Sequence, residues 1–171
     1  MIKLIVEKLA RITKNRKKLE AVLDVKIENR GTEIYIEGLP ENEYTAEKVI
    51  LALDFGFPYS VAIEVKTEDL AFQSLNIKDY TNQKNLPRVR GRIIGAGGKT
   101  LKTISTLSNC YMELKDNKIG IIGEYESLKY AEEALILLIK GTKTGNVYAY
   151  LEKHHPEELI DLGLKSSKDK L

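Results

Sequence analysis

Thirteen residues near the middle of the chain decide its fold: RVRGRIIGAGGKT, residues 88–100. The stretch holds three arginines, one lysine and four glycines. After it, the apolar residues Leu101, Ile104 and Leu107 recur every three positions, which predicts a helix with one apolar face. We therefore expect two helices joined by a tight glycine turn. Because such a turn carries few side chains and the second helix begins with unpaired backbone N–H groups, the stretch predicts a site for phosphate.

Three kinds of phosphate site need to be distinguished. A nucleotide P-loop requires Gly-x-x-x-x-Gly-Lys-Ser/Thr after an apolar strand. Gly98-Lys99-Thr100 supplies the last part of that motif, but Ile93 stands at its first glycine. The dinucleotide motif Gly-x-Gly-x-x-Gly has Thr100 at its third glycine. The spacing Ile-Gly-x-x-Gly-x-x-Leu-x-x-Ile does fit, at residues 94–104. It is typical of the KH module, whose GxxG loop joins two helices and binds the backbone of single-stranded RNA.

The distribution of charge supports a nucleic-acid ligand. The net charge of the 171 residues is only +2. Residues 21–79 carry twelve acidic and five basic side chains, whereas residues 80–112 carry six basic side chains and no acid. A basic run is often only a solvated face. Here the acid-free window coincides with the glycine turn, which favours nucleic acid.

Other functional classes find little support in the sequence. Cys110 is the only cysteine, so no disulfide forms within one chain, and we expect a reducing, cytoplasmic location. No apolar run approaches the ~20 residues of a membrane span. His154 and His155 are adjacent and not spaced as metal ligands. We predict no enzyme activity, metal or cofactor. A small NTPase that uses residues 98–100 remains a remote alternative.

Hydrophobic periodicity and turn residues predict the order of elements. We expect Asn42 to cap a helix that ends before Gly56, and Asn29-Arg30-Gly31 to form a hairpin turn. The predicted strands cover residues 2–6, 25–27, 34–36, 71–79, 111–114 and 118–122. The predicted helices cover residues 8–23, 42–54, 58–63, the two segments around the glycine turn, 125–140 and 145–154, and residues 165–171 are expected to fray.

An internal repeat organises these elements. At an offset of 85 residues, the second half of the chain falls on like residues of the first without a gap. The matched pairs include Ile104 with Leu19, Met112 with Ile27, Ile119 with Ile34, Gly123 with Gly38 and Gly141 with Gly56. Gly95 and Gly98, however, fall on Ala10 and Thr13, so the first copy lacks the glycine turn.

The repeat predicts an α/β fold with two tandem KH-like units of type β-α-α-β-β-α. Each unit is expected to be a three-stranded sheet packed by helices, and a further helix follows at the C-terminus. We assign residues 1–76 to a degenerate unit without GxxG. Residues 77–155 form the KH domain with GxxG and the C-terminal helix, and residues 156–171 form a tail.

The sequence GRIIGAGGKT at residues 91–100, followed by Thr103-Ile104, resembles the signature of a ribosome-assembly KH family. This family is known as the partner of the Nob endonuclease, or the Dim KH proteins, and the archaeal branch is the better match. The resemblance covers most of residues 71–153. It implies binding near the 3′ end of small-subunit ribosomal RNA during pre-rRNA processing, and cooperation with the Nob endonuclease. It also implies a link to the alpha subunit of translation initiation factor two.

We predict that the glycine turn binds phosphates, that nearby cations attract them, and that an apolar groove holds about four bases. The predicted RNA-binding residues are Arg88, Arg90, Arg92, Ile94, Gly95, Ala96, Gly97, Gly98, Lys99, Thr100, Lys102 and Met112. Ile104 is expected either in the groove or, more simply, in the core, and Tyr111 either stacks on a base or packs on a helix. The pair Ala96-Gly97 departs from the Lys or Arg that many KH loops carry. The alternative function is a protein-docking scaffold in translation or RNA processing that binds RNA only weakly, and the acidic first unit favours this alternative.

Overall fold

The computed structural model describes residues 1–154, so the predicted tail lies outside the described residues. The first repeat has the order β1-α1-α2-β2-β3-α3. Its strands are β1 (Ile2–Ile5), β2 (Val25–Arg30) and β3 (Glu33–Gly38), and its helices are α1 (Leu9–Lys14), α2 (Arg16–Leu23) and α3 (Pro40–Phe55). The strands form an antiparallel sheet in the order β1-β3-β2. Two short helices follow, α4 (Tyr59–Ala62) and α5 (Glu64–Thr67).

The second repeat has the same order, β4-α6-α7-β5-β6-α8, with one helix added at the end. Its strands are β4 (Ala71–Asn76), β5 (Tyr111–Lys115) and β6 (Lys118–Gly123), and its helices are α6 (Leu86–Ile94), α7 (Lys99–Ser108), α8 (Tyr125–Ile139) and α9 (Thr144–Lys153). The strands form an antiparallel sheet in the order β4-β6-β5. The predicted tandem β-α-α-β-β-α fold with a C-terminal helix is confirmed.

Several local predictions need correction. The helix expected over residues 8–23 is two helices that meet at Asn15. Asn42 does not cap α3, which begins two residues earlier, because Pro40 has no N–H to leave unpaired in a first turn. The Asn42 amide instead donates to the backbone carbonyl and carboxylate of Asp24. The strand predicted over residues 71–79 ends at Asn76 and continues as a 3₁₀ turn. Arg30 and the residue before it belong to β2 rather than to the hairpin turn.

The 85-residue offset holds from α2 onward and fails before it. Strand β3 shifted by 85 coincides with β6, whereas β1 begins at Ile2 and β4 at Ala71, an offset of 69. The second repeat therefore has a longer path between its first strand and α7. That path includes the segment before α6 and the glycine turn.

Packing divides the chain into two compact units that do not follow the repeat. Among the described residues, unit 1 contains 1–76 and 111–125, and unit 2 contains 77–110 and 126–154. The predicted domain boundary at 76/77 separates β4 from β6, with which it pairs over six residues. The boundaries of the functional domains stay a prediction.

In unit 1, the first repeat packs against the sheet of the second repeat. The rings of Phe55, Phe57 and Phe72 lie with centroids 6.0 Å apart in each pair. Gly120 on β6 faces the first two of these rings, and Ile122 belongs to the same buried core. The core of the first repeat is made by alternating residues of its strands and by the inner faces of its helices.

In unit 2, buried apolar residues line one face of each helix, at the spacing that the sequence predicts. Helix α6 buries Val89 and Ile93, and α7 buries Ile104. The core residues of α8 and α9 are Leu128, Ala131, Ala134, Leu135, Leu138, Ile139, Val147 and Leu151. Within residues 1–154, no helix has both the length and the apolar character needed to cross a membrane.

Candidate nucleic-acid interface

Helix α6 is fixed at both ends. The Asn85 side chain accepts a hydrogen bond from the backbone N–H of Arg88 at 3.3 Å, which satisfies one of the unpaired donors at the helix start. Pro87 occupies the first turn, where its missing N–H costs nothing. At the other end, the N–H of Gly95 donates to the carbonyl of Gly91 at 2.9 Å. The Asn and Pro signals, three and one residues before Arg88, were available in the sequence.

The turn between α6 and α7 consists of residues 95–98 and uses three glycines at positive φ. The φ angles are 76° at Gly95, 61° at Gly97 and 77° at Gly98. A β-carbon on Gly95 would lie 2.6 Å from the Cβ of Thr100 and 2.8 Å from its backbone nitrogen. Beside Gly97 and Gly98 the space is open. The predicted tight glycine turn between two helices is confirmed, and Gly95 requires glycine for both conformation and space.

The N-terminus of α7 is open. Gly98 is its capping residue, and no side chain accepts a hydrogen bond from its first N–H groups. Ala96 and Gly97 are exposed on the turn, and the side chains of Lys99 and Lys102 are exposed on the helix. Helix N–H groups and the positive end of the helix dipole favour an anion at such a terminus. Because the turn follows a helix and not a strand, it is not a P-loop.

The three predicted arginines of α6 have different environments. Arg88 is exposed, and Arg90 is half-buried. Arg92 is half-buried, and its Nη2 donates to the carbonyl of Thr142 at 3.1 Å, just beyond the end of α8. Arg92 therefore satisfies a carbonyl at a helix C-terminus, a structural role that the sequence pattern did not indicate.

The apolar residues predicted near the turn also differ in their burial. Ile94 is 38% exposed at the end of α6, whereas Ile104 is fully buried. Ile104 is therefore a core residue and does not line a groove. Met112 is half-buried on β5, which belongs to unit 1. Tyr111 on the same strand donates its hydroxyl to Glu64 at 3.2 Å, and this bond raises the pKa of Tyr111.

The first repeat has no turn at the equivalent place. Ala10 and Thr13, which the 85-residue sequence offset pairs with Gly95 and Gly98, lie inside α1, before the point from which that offset holds in the structure. Only Asn15 separates α1 from α2, and its side chain donates to the carbonyl of Arg11 at 2.8 Å. The Thr13 hydroxyl donates to the carbonyl of the residue four positions earlier. The first repeat therefore presents helix backbone that is already hydrogen-bonded, where the second repeat presents bare glycine backbone.

The two histidines have no metal-binding arrangement within the described part of the chain. Among residues 1–154, no group of three His, Cys, Asp or Glu side chains could hold a metal ion. His154 stacks on Tyr130 with ring centroids 5.2 Å apart and lies 4.7 Å from the ring of Tyr150. His154 therefore packs the C-terminal end of α9 against α8. His155 lies outside the described residues.

Comparison with known proteins identifies a family model and several relatives that match this chain. The family model of the second KH domain of PNO1 proteins, a eukaryotic-type KH domain (type I), matches residues 71–156. The KH domain-containing protein MJ0443 of Methanocaldococcus jannaschii is 27% identical over 81% of this chain and 64% of its own length. The pre-rRNA-processing protein pno1 of Aspergillus fumigatus is 31% identical over 79% of this chain and 56% of its own length. The chain thus spans less than two thirds of either relative.

A solved structure extends the likeness to the fold. In the a/eIF2alpha-aDim2p-rRNA complex from Pyrococcus horikoshii, one chain superposes with a TM-score of 0.79 and 28% identity. The superposition covers 89% of this chain and 92% of the other. The matched family segment contains the glycine turn, both helices beside it, and the sheet of the second repeat. The chain belongs to the PNO1-type family of KH-domain proteins.

Proposed function

We propose that the second repeat binds single-stranded RNA through the glycine turn. One observation carries the proposal: the uncapped N-terminus of α7 follows three positive-φ glycines within a 33-residue window, 80–112, that contains no acid. Phosphates of the RNA backbone seat against Gly95–Gly98, where no side chain holds them away. The backbone N–H groups at the start of α7 donate to the phosphate oxygens.

Each predicted side chain then has a distinct role. Lys99, Lys102 and Arg88 are exposed and attract the RNA through charge. Thr100 packs against Gly95 and fixes the shape of the turn. Ile94 offers apolar surface to bases beside the turn, and a contribution from Met112 stays a prediction from the sequence. Arg90 adds charge from a half-buried position, and Arg92 contributes less than the sequence suggests because its guanidinium already serves Thr142.

The names of the relatives support a finer proposal. They include a pre-rRNA-processing protein and a Dim2 protein in a complex with rRNA and a/eIF2alpha. We infer that the bound RNA is the 3′ region of small-subunit rRNA and that the protein acts in cytoplasmic ribosome assembly without catalysing a reaction. Its proposed protein partners are the alpha subunit of translation initiation factor two and the Nob endonuclease.

The test reverses the charge of the turn without changing its shape. In the double variant Ala96→Asp/Gly97→Asp, two carboxylates lie where the phosphates are proposed to bind. The matched control, Ala96→Asn/Gly97→Asn, has nearly the same size and the same strain at the positive φ of Gly97, but no charge. We expect the Asp variant to bind a short single-stranded RNA at least tenfold more weakly than the Asn variant, about 1.4 kcal/mol. Equal affinity of the two variants, with equal melting temperatures, would show that the turn does not bind phosphate.

A further inference from the structure

The first repeat carries its own basic run where α1 meets α2. Residues 8–18 hold six basic side chains and no acid, although residues 21–70 of the same repeat hold eleven acids and four bases. The run occupies the place in the first repeat that the glycine turn occupies in the second. The structure shows which of these six cations are already engaged.

Three of the six cations make contacts within the first repeat. The Nη1 of Arg11 donates to the carbonyls of Gly56 and Phe57 at 2.9 and 3.1 Å, which satisfies the C-terminal end of α3. The Nζ of Lys8 lies beside the same Gly56. The Nε of Arg16 lies 3.6 Å from the carboxylate of Glu20, one turn further along α2.

The other three cations are Lys14, Lys17 and Lys18, and all three are exposed. No ion pair formed within residues 1–154 involves any of them. The Nζ of Lys18 lies 5.8 Å above the ring of Tyr59, which keeps this ammonium close to the surface of the repeat. Like charges grouped in this way repel each other, and no acid within the group offsets that repulsion.

In the sheet of the same repeat, by contrast, surface cations are paired with carboxylates or lie beside an aromatic ring. On its outer face, Lys3 pairs with Glu33 at 2.7 Å and Lys26 pairs with Glu28 at 2.8 Å. Arg30 lies 5.2 Å from the ring of Tyr35. One surface of the repeat is therefore neutralised by its own carboxylates, and the α1–α2 surface is not. An unpaired cationic surface in an otherwise acidic repeat fits a polyanion.

We propose that Lys14, Lys17 and Lys18 form a second RNA contact, in the repeat that lacks the glycine turn. This proposal rests on the proposed function of the second repeat, since it takes the ligand to be the same class of RNA. Because Thr13 and Asn15 already bond the local backbone, the contact is made by ammonium groups on phosphates. It reads no base and adds affinity only for RNA that extends beyond the glycine turn.

The test uses the full chain and single-stranded RNAs of two lengths, about four nucleotides and about twenty, of which the shorter fits a GxxG loop. The cluster variant is Lys14→Glu/Lys17→Glu/Lys18→Glu, with Lys→Gln at the same positions as a milder form. The control is Lys66→Glu/Lys129→Glu/Lys153→Glu, which makes the same change in net charge at three exposed lysines elsewhere. Fluorescence anisotropy gives the affinities over a range of salt concentrations.

For the twenty-nucleotide RNA, we expect the cluster variant to bind at least fivefold more weakly than the control variant. The slope of log K against log salt should become shallower by about 2, since each phosphate contact contributes ~0.7. The Gln form should show a smaller loss of the same kind. For the four-nucleotide RNA, we expect the cluster and control variants to agree within twofold.

Two results would overturn the proposal: equal binding of the long RNA by the cluster and control variants, or an equal loss for both RNA lengths. Equal binding would mean that the three lysines do not contact RNA. The Asp variant of residues 96 and 97 keeps the two proposals apart. If the Asp variant binds the short RNA as the wild type does, the glycine-turn proposal fails. The lysine-cluster proposal is tested separately, by comparing how the cluster and control variants bind the long RNA.

Discussion

The two repeats share an order of elements but expose different surfaces. Strands β3 and β6 match residue for residue at an offset of 85, yet only β6 is buried on both faces. Tyr35 on β3 lies among paired charges on the outer face of its sheet, and the equivalent Gly120 lies against the rings of Phe55 and Phe57. The first repeat lacks the glycine turn, and it packs against the sheet of the second repeat, which has one.

The largest expected effect comes from exchanging these equivalent residues. Gly120→Tyr places a ring where even a β-carbon would lie 2.8 Å from the ring of Phe55. We expect a loss of about 3 kcal/mol or more in the free energy of unfolding, measured by chemical denaturation, because the packed rings cannot move aside. Tyr35→Ala on the outer face of the first sheet should cost under about 1 kcal/mol. Similar losses at both positions would contradict the packing described for unit 1.

The next effect concerns the glycine that the first repeat lacks. Gly95→Ala combines a φ of 76° with a collision against Thr100, so we expect a loss of about 2–3 kcal/mol in the free energy of unfolding. Gly97→Ala has a similar φ but open space, and should cost only about 1 kcal/mol. If thermal or chemical unfolding ranks the two variants in the opposite order, the turn has another shape.

A smaller effect is expected for a single cation at the turn. Lys99→Ala should weaken binding of single-stranded RNA about three- to fivefold and make the slope of log K against log salt shallower by ~0.7. Lys129→Ala, which removes an exposed lysine from α8, is the control and should leave the slope unchanged. A Lys99 variant with the slope of the wild type would mean that this lysine does not contact phosphate.

The smallest expected effect concerns a residue that differs between α3 and α8, the helices that follow the two hairpins. Glu43 on α3 is buried where the second repeat has Leu128. The N-terminal ammonium, 2.9 Å away, and the amide of Gly38 lower the pKa of Glu43 below its ordinary value of 4.5. Its stabilising effect is therefore present above pH 4.5 and is lost as the pH falls through the lowered pKa.

The variant Glu43→Gln tests this expectation in thermal unfolding between pH 3 and 7. We expect the melting temperature of the wild type to exceed that of the variant at pH 7, and the difference to shrink below about pH 4. Glu41→Gln, on an exposed residue in the same helical turn, should show little difference at any pH. A difference that grows on acidification would contradict the lowered pKa.

Patterns of apolar spacing predicted the elements and the fold, because the faces of helices and strands are set by local geometry. The prediction of the glycine turn was equally sound, since only glycine adopts those φ angles readily. Contacts between distant segments were not predictable in this way. The bond from Arg92 to Thr142 and the packing of Gly120 on the rings of the first repeat join residues 50 or more positions apart. No local pattern marks such pairs, and the first of them changes the role of Arg92, which the sequence had assigned to RNA binding.

The most direct measurement maps where a short RNA binds in the whole chain. Amide chemical shifts of the isotope-labelled protein are recorded with and without a single-stranded RNA of about four nucleotides. We expect the largest changes at residues 95–102 and little change at residues 10–13, where the first repeat has helix instead of a turn. Changes centred on residues 10–13, or none at residues 95–102 while the RNA is bound, would contradict the assignment of RNA binding to the second repeat.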